Sequence, residues 1–232
     1  MATDTQFGTV YKEEDFLVTA IADLPEIDLQ AVTGSTIAVV AGGADGRLRL
    51  DIAASNDDDV GALTFGAVNW TAGSGDLWMA ARFFLSSVTD NKYFIGFGDT
   101  IASADETTFS ATTDTVTIDT MTDAIGLLYD EDATTKQVWA VAGATDVVTV
   151  SQGLGTATKP AVDTAVEMGV WLSADRKSAQ WFINGKEVHR VNGDSVLVGA
   201  VDLVPGVWAY EQASAFNLDI DIIASRKGRS TT

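Results

Sequence analysis

Two carboxylates, Asp219 and Asp221, lie near the end of the sequence with one residue between them. Side chains two residues apart on a β-strand share one face, so this pair could serve as acid and nucleophile in cleaving a glycosidic bond. That reaction needs two carboxyl groups about 5 Å apart, one protonated and one ionised. Apolar residues hold the alternate positions from Phe216 to Ile222, which predicts instead the polar face of a half-buried strand.

The carboxylate pair resembles part of the Glu-x-Asp-x-Glu arrangement of sandwich-fold glycanases, in which acid and nucleophile lie on one strand face. The first acid is Asp219 rather than Glu, and Ile223 occupies the position of the third acid. We therefore predict that the chain has no catalytic residues and is not an enzyme.

His189 is the only histidine, and the chain has no cysteine. A lone histidine cannot form a histidine-based metal site, and no Gly-x-Ser-x-Gly nucleophile elbow accompanies it. The lack of cysteine excludes disulfides and thiolate-bound zinc. We interpret His189 as an exposed or interface histidine, on the face of Gln180 and Phe182.

Two acidic clusters supply oxygen atoms that could bind Ca²⁺, Asp57-Asp58-Asp59 and Asp130-Glu131-Asp132. Neither has the spacing and the glycine of a calcium loop, so solvated turns are the main interpretation and no metal site is predicted. The pair Gly96-x-Gly98 is not followed by the later glycine or lysine of a phosphate-binding loop. We predict no cofactor.

The six tryptophans have two interpretations, a sugar-stacking platform or the core of the fold. Tryptophan supplies a large buried area per residue, which favours the core. The residues are Trp70, Trp78, Trp139, Trp171, Trp181 and Trp208.

The charge of the chain excludes several kinds of partner. With 232 residues and a net charge of −19, the protein repels phosphate, so nucleic acid is an unfavourable direct ligand.

The start of the chain lacks the basic and apolar regions of a signal peptide. No stretch approaches the ~18 apolar residues of a membrane helix, and we expect no membrane partner.

The pattern of turns predicts an all-β protein. Gly, Asp, Asn and Thr interrupt apolar runs at short intervals, which is typical of antiparallel sheets. Only residues 13–24 have a spacing that fits a helix, and an arm or a first strand fits them equally. The run Leu77 to Leu85 is apolar at most positions and is predicted as a central strand, paired with Tyr93 to Phe97 across a turn. We expect about ten to fourteen strands.

The clearest local signal is Asn184-Gly185 between two apolar-rich runs. A type I′ hairpin needs positive φ at both central residues, which Asn-Gly provides. A two-residue turn would place Trp181 opposite Val188, a pair suited to a buried face.

The sequence is divided into three segments. Residues 1–30 are predicted as an N-terminal arm or first strand, 31–225 as one jelly-roll β-sandwich, and 226–232 as a basic tail. The tail begins with Arg226-Lys227-Gly228-Arg229. It is either mobile, as short termini commonly are, or docked on an acidic partner.

The late part of the chain resembles the concanavalin A-like (laminin-G-like) jelly rolls. The run Val170 to Asp175, followed by Ala179 to Val188, looks like their late hairpin, and Leu218 to Ala224 is similar to their last strand. The resemblance implies a two-sheet antiparallel β-sandwich.

The wider layout resembles bacteriophage virion proteins that carry this fold. The matching features are Glu14-Asp15-Phe16, Gly42-Gly43, Leu77 to Leu85 and Gly96-Phe97-Gly98-Asp99. The resemblance implies a non-enzymatic capsid decoration protein, bound to the major capsid protein or another virion protein and assembled in the host cytoplasm. It also implies a homo-oligomer, with a trimer as one form. The alternative is a carbohydrate-binding, lectin-like module whose partner is a glycan. Fold alone does not decide between these functions.

Overall fold

The computed structural model describes residues 9–17, 24, 27–31, 35–40, 46–53, 60–66, 70–99, 109–119, 121–193 and 195–228. In these residues the chain forms strands, with a single 3₁₀ turn at Thr156–Thr158 and no α-helix. The strands are β1 (Thr9–Glu14), β2 (Asp28–Ala31), β3 (Thr36–Val39), β4 (Leu48–Ile52), β5 (Val60–Thr64), β6 (Trp70–Thr71), β7 (Leu77–Leu85), β8 (Asn91–Gly98), β9 (Phe109–Thr112), β10 (Thr115–Ile118), β11 (Ala124–Asp130), β12 (Val138–Ala144), β13 (Val147–Gly153), β14 (Val166–Leu172), β15 (Ser178–Ile183), β16 (Lys186–Asn192), β17 (Asp202–Glu211) and β18 (Phe216–Gly228).

Two large antiparallel sheets carry most of these strands. Sheet I has the order β16-β15-β14-β7-β18-β4-β3, and sheet II has the order β13-β12-β11-β8-β17-β5-β2. The long strand β18 pairs with β4 through its first half and with β1 through its second half. The sheets face each other in matching order, since β14 packs on β11, β7 on β8 and β4 on β5. This is the predicted two-sheet sandwich.

The main core lies between the two sheets, where alternate residues of each strand point inward. On β7 the inward residues from Leu77 to Leu85 are buried, while the positions between them are partly exposed. Trp181 spans the core and donates its indole N–H to the backbone oxygen of Gly126 on β11, over 2.7 Å. The prediction of a central β7 is confirmed, because β14 and β18 flank it.

A small hairpin of β9 and β10 covers the outer face of sheet II and makes a second apolar cluster with it. Lys92 lies under this hairpin with 8 % of its side chain exposed. Its Nζ donates to Ser110 over 2.9 Å, and Ser110 donates to Asp119 over 2.5 Å. Desolvation lowers the pKa of the Lys92 ammonium, opposed by the carboxylates of Asp130 and Asp119.

The predicted pairing of Leu77–Leu85 with Tyr93–Phe97 is wrong. β7 lies in sheet I and β8 in sheet II, so the turn between them crosses from one sheet to the other. Each strand has better partners within its own sheet, and the two meet face to face through core side chains such as Phe83 and Tyr93, whose rings are 5.3 Å apart.

The Asn184-Gly185 hairpin is confirmed, with φ of 51° and 71° at the two residues. The predicted register is wrong by one residue. Trp181 pairs with His189 rather than Val188, because the register of β15 and β16 shifts between Trp181 and Phe182. Such a bulge sets two residues of one strand against one of the other.

The last strand extends past residue 225, and the first strand lies within the segment 1–30. β18 continues to Gly228, so Arg226, Lys227 and Gly228 lie in a strand that pairs with β1. The segment 13–24 begins in β1, whose last residues are Glu13 and Glu14; residues 18–23 lie outside the described part. None of the described segments is a helix long and apolar enough to cross a membrane.

Candidate functional site

The outer face of sheet I carries a row of partly exposed aromatic side chains. Tyr11 on β1, Arg226 on β18, Trp78 on β7 and Trp171 on β14 are successive neighbours across the strands. Neighbouring strands lie about 4.8 Å apart, so the row crosses the sheet at right angles to the strands. Tyr11 is 44 % exposed. We call these four residues the aromatic row.

The next row on the same face consists of small residues. Ala224, Ala80 and Gly169 are successive neighbours on β18, β7 and β14. Glu13 and Phe182 close the row at its two ends. Because these three side chains are short, the small-residue row lies lower than the aromatic row beside it.

A third row carries charge, with Ile222 on β18, Arg82 on β7 and Glu167 on β14 as neighbours. Rows on one face are about 7 Å apart along the strands. The aromatic and charged rows therefore flank a depression whose floor is the small-residue row. Its volume is about 210 Å³. We call it the outer trough; its lining residues are Tyr11, Glu13, Trp78, Ala80, Ala81, Arg82, Glu167, Ile222 and Ala224.

One end of the outer trough is formed by two residues of β1. The Tyr11 hydroxyl donates a hydrogen bond to Oε2 of Glu13. Burial, followed by this hydrogen bond and the negative charge of Glu13, raises the pKa of Tyr11 to about 12. The phenol therefore stays protonated at neutral pH, and the hydrogen bond fixes its ring beside Glu13.

The charged row is shaped by a bulge in β18, where the register shifts between Ile220 and Ile222. The residue at the bulge is Asp221, which is 8 % exposed and accepts a hydrogen bond from Nε of Arg82. The ion pair holds the Arg82 side chain, which is 48 % exposed, at the edge of the outer trough.

The two carboxylates that suggested glycan cleavage are each held by an arginine. Asp219 accepts two hydrogen bonds from Arg49, of 2.6 Å and 2.8 Å, and Asp221 pairs with Arg82. The bulge also breaks the regular alternation that would place the pair on one flat strand face. Both carboxylates therefore have a guanidinium partner within sheet I.

The tryptophans divide into two groups. Trp70, Trp139, Trp181 and Trp208 are buried, as the core interpretation predicts. The other two, Trp78 and Trp171, are partly exposed on the outer face of sheet I. Any tryptophan platform on the described surface is therefore made by these two.

His189 lies on β16 with its ring centroid 5.3 Å from that of Trp181. The bulge turns it toward the core side of sheet I, away from the predicted face of Gln180 and Phe182. Burial lowers the pKa of His189 below its usual 6.5. The residue packs at the sheet edge.

The acidic side chains at 130 and 131 form hydrogen bonds and ion pairs within the protein. Asp130 accepts hydrogen bonds from the backbone of Ala111 and from Gln212. Glu131 accepts from Tyr129 and lies within 4 Å of two lysines. Asp57-Asp58-Asp59 lie outside the described residues. Among the residues that are described, no group of three His, Cys, Asp or Glu side chains is arranged to hold a metal ion.

Gly96 and Gly98 serve close packing within sheet II. A Cβ at Gly96 would lie 2.2 Å from the backbone oxygen of Ile125, and one at Gly98 would lie 2.5 Å from the sulfur of Met121. These contacts account for the two glycines without a phosphate ligand.

Sequence reasoning missed most of the outer trough. Tyr11 and Glu13 lie in the segment predicted as an arm or first strand, and the sequence offers no sign of a role for Arg82 and Glu167. The alternation within Leu77–Leu85 could have indicated that Trp78, Ala80 and Arg82 share a face. No local pattern indicates that β1, β18, β7 and β14 are neighbours.

Comparison with known proteins gives fold relationships. No protein-family model matches the chain, and no curated protein matches it in sequence. Among solved structures, the carbohydrate recognition domain of Emp46p in its potassium-bound form is similar, with a TM-score of 0.59, 12 % identity, and 91 % of this chain and 93 % of that chain covered. A β-glucanase of Bacillus licheniformis is similar, with a TM-score of 0.56 and 12 % identity; the match covers 97 % of this chain and 100 % of that chain. A carbohydrate esterase of the Shiga toxin-encoding bacteriophage phi24B has a TM-score of 0.54, 16 % identity, and 89 % and 92 % covered.

These relationships identify the fold. The chain is a concanavalin A-like jelly roll, as its late hairpin and last strand predicted. The similar structures include a carbohydrate recognition domain and enzymes, so the fold carries both binding and catalysis, and function must be argued from the site.

Proposed function

We propose that this chain is a non-enzymatic carbohydrate-binding domain and that the outer trough binds the glycan. The supporting observation is the aromatic row beside a floor of small side chains. Ligand sites combine apolar and aromatic walls with a few polar groups that fix orientation. Here Tyr11 and Trp78 supply the wall, while Glu13, Arg82 and Glu167 supply hydrogen-bonding groups at the rim.

The shape of the outer trough suits an extended ligand. Its floor crosses three strands, and Trp171 prolongs the aromatic row beyond Trp78. Trp78 and Trp171 lie one strand spacing apart, ~5 Å, and Tyr11 and Trp78 lie two spacings apart, so a chain of sugar rings can contact more than one aromatic side chain. The likeness to a carbohydrate recognition domain supports this class of ligand.

The non-enzymatic part of the proposal is supported by the ion pairs of Asp219 and Asp221, because both carboxylates are neutralised by arginines. We propose binding without a cofactor or a catalytic step. Loss of polysaccharide hydrolysis on changing Asp219 to Asn would overturn this part.

A glycan array probed with the full chain tests the binding function, followed by calorimetry on the best ligand. Trp78→Ala should weaken binding at least about tenfold, since aromatic side chains at the centre of a site commonly contribute ~2 kcal/mol. Phe84→Ala is the matched control, because Phe84 lies on the same sheet face under Arg47, whose guanidinium is 3.7 Å from the ring centroid. A chain that binds no glycan, or a Trp78→Ala variant that binds as well as the parent, would refute the proposal.

A second candidate is a structural role in a bacteriophage virion, with the major capsid protein or another virion protein as partner and a homo-oligomer as the assembled form. The likeness to a phage protein favours it, and so does the net charge of −19, which keeps a protein soluble at high local density. Mass spectrometry of purified particles tests it; particles that lack the chain would end it.

A further inference from the structure

We propose that the outer trough selects glycans that carry a protonated amino group, as in a sugar whose amine is not acetylated. This inference rests on the proposed function, because it names the chemical class of the ligand at the same site. It follows from the balance of charge around the aromatic wall.

The outer trough has a carboxylate at each end. Glu13 lies on β1, beside Tyr11, and Glu167 lies on β14; both are exposed. Within the described residues neither carboxylate forms an ion pair. The Tyr11 hydroxyl that donates a hydrogen bond to Glu13 is uncharged, so it does not neutralise the carboxylate. Both carboxylates are therefore available to a positively charged ligand.

The cations near the outer trough do not cancel this charge. Arg82 is paired with Asp221, which lies under it in the bulge. Arg226 is exposed between Tyr11 and Trp78 in the aromatic row. Two carboxylates of the lining, Glu13 and Glu167, therefore stand against one guanidinium group that has no ion pair among the described residues, that of Arg226.

The aromatic wall adds a second attraction for a cation. A positive group over the face of Trp or Tyr is stabilised by ~0.5–1 kcal/mol at exposed sites and by ~2 kcal/mol or more when it is desolvated. Tyr11 stays protonated, and its hydroxyl is held by Glu13, so ring and carboxylate are presented together. An ammonium group bound there contacts both, whereas a hydroxyl or an acetamide group gains only the hydrogen bond.

The charge of the whole chain acts in the same direction. A net charge of −19 attracts cationic ligands and repels anionic ones at long range. This favours a glycan with ammonium groups over one with carboxylate or sulfate groups. Salt screens such attraction over roughly 10 Å at 0.1 M, so binding should weaken as salt is added.

Three matched ligands test the inference, namely β-1,4-linked oligomers of glucosamine, N-acetylglucosamine and glucose of equal length. They differ only at the second carbon, as an amine, an acetamide or a hydroxyl. Calorimetry near pH 5.5 keeps the sugar amine protonated. The glucosamine oligomer should bind the full chain about tenfold more tightly than the other two, the gain of a cation at an aromatic wall.

Glu13→Gln and Glu167→Gln should each reduce that preference severalfold, because the amide carries no charge to attract the ammonium group. Asp132→Asn is the matched control, since Asp132 is an exposed carboxylate in the turn after β11 of sheet II, away from the outer trough. It should preserve the preference.

The possible outcomes separate the two proposals. Equal binding of the three oligomers, or a preference for the acetamide, would overturn the ammonium inference and leave glycan binding intact. If no oligomer binds, and the array is also empty, glycan binding itself fails. An oligolysine that binds through Glu13 and Glu167 while every glycan fails would identify the occupant as a basic peptide, which overturns both.

Discussion

Trp181→Phe tests the contact that joins the two sheets. Trp181 is fully buried, and its indole N–H donates to the backbone oxygen of Gly126 over 2.7 Å. The substitution removes this bond, a loss of about 1 kcal/mol. It also removes apolar contact equivalent to roughly two methylene groups, at ~0.8 kcal/mol each.

The expected loss in the free energy of unfolding is therefore about 2.5 kcal/mol. For a chain of this size, a loss of 1 kcal/mol lowers the Tm by roughly 2–4 °C, so the Tm should fall by about 5–10 °C. Urea titration followed by circular dichroism measures the first quantity and calorimetry the second. Trp171→Phe is the matched control, because Trp171 is partly exposed on the outer face, and it should lose less than about 1 kcal/mol. Equal losses in the two variants would refute the role assigned to Trp181.

Three further outcomes follow from the geometry. Burial lowers the pKa of Lys92 from 10.5, so the unfolded chain binds this proton more strongly than the folded chain does. The contribution of Lys92 to the free energy of unfolding should therefore increase as pH rises toward 10.5. Lys92→Met should lose this gain in urea titrations above pH 8; identical pH dependence in parent and variant would contradict the assignment. The single imidazole resonance of His189 should titrate below pH 6.5, since burial lowers its pKa, and stability should fall as pH drops below 6.5; a midpoint at or above 6.5 would show that His189 is solvated. Gly185→Ala should cost about 1–2 kcal/mol from backbone strain alone, because φ is 71° and no atom lies within 4 Å of the added Cβ; Lys186→Ala should cost little, and equal stability of both variants would rule out the type I′ turn.

Much of the fold was predictable because its signals are local. The alternation in Phe216–Ile220 and the Asn184-Gly185 turn depend only on strand geometry and on which residues accept positive φ. The bulge after Ile220 moves Ile222 to the outer face, and no local pattern indicates it. The register of the hairpin was not predictable, since the bulge opposite Trp181 brings the His189 ring against a buried indole. The short strands β5 and β9 are not predicted, because short runs that contain Thr, Ala, Ser or Gly carry little periodic signal. β2 has only four residues, too few for a clear period.

The sequence by itself determined an all-β chain of high negative charge, a late hairpin and a last strand of concanavalin A-like type, and an incomplete acid motif at Asp219 and Asp221. Tertiary structure decided which strands are neighbours. Tyr11 and Trp78 are far apart in the chain, and they share one row only because β18 pairs with β1 on one side and with β7 on the other. A site built across four strands depends on pairing between distant segments, and that pairing is set by the burial of whole faces rather than by any local spacing of residues.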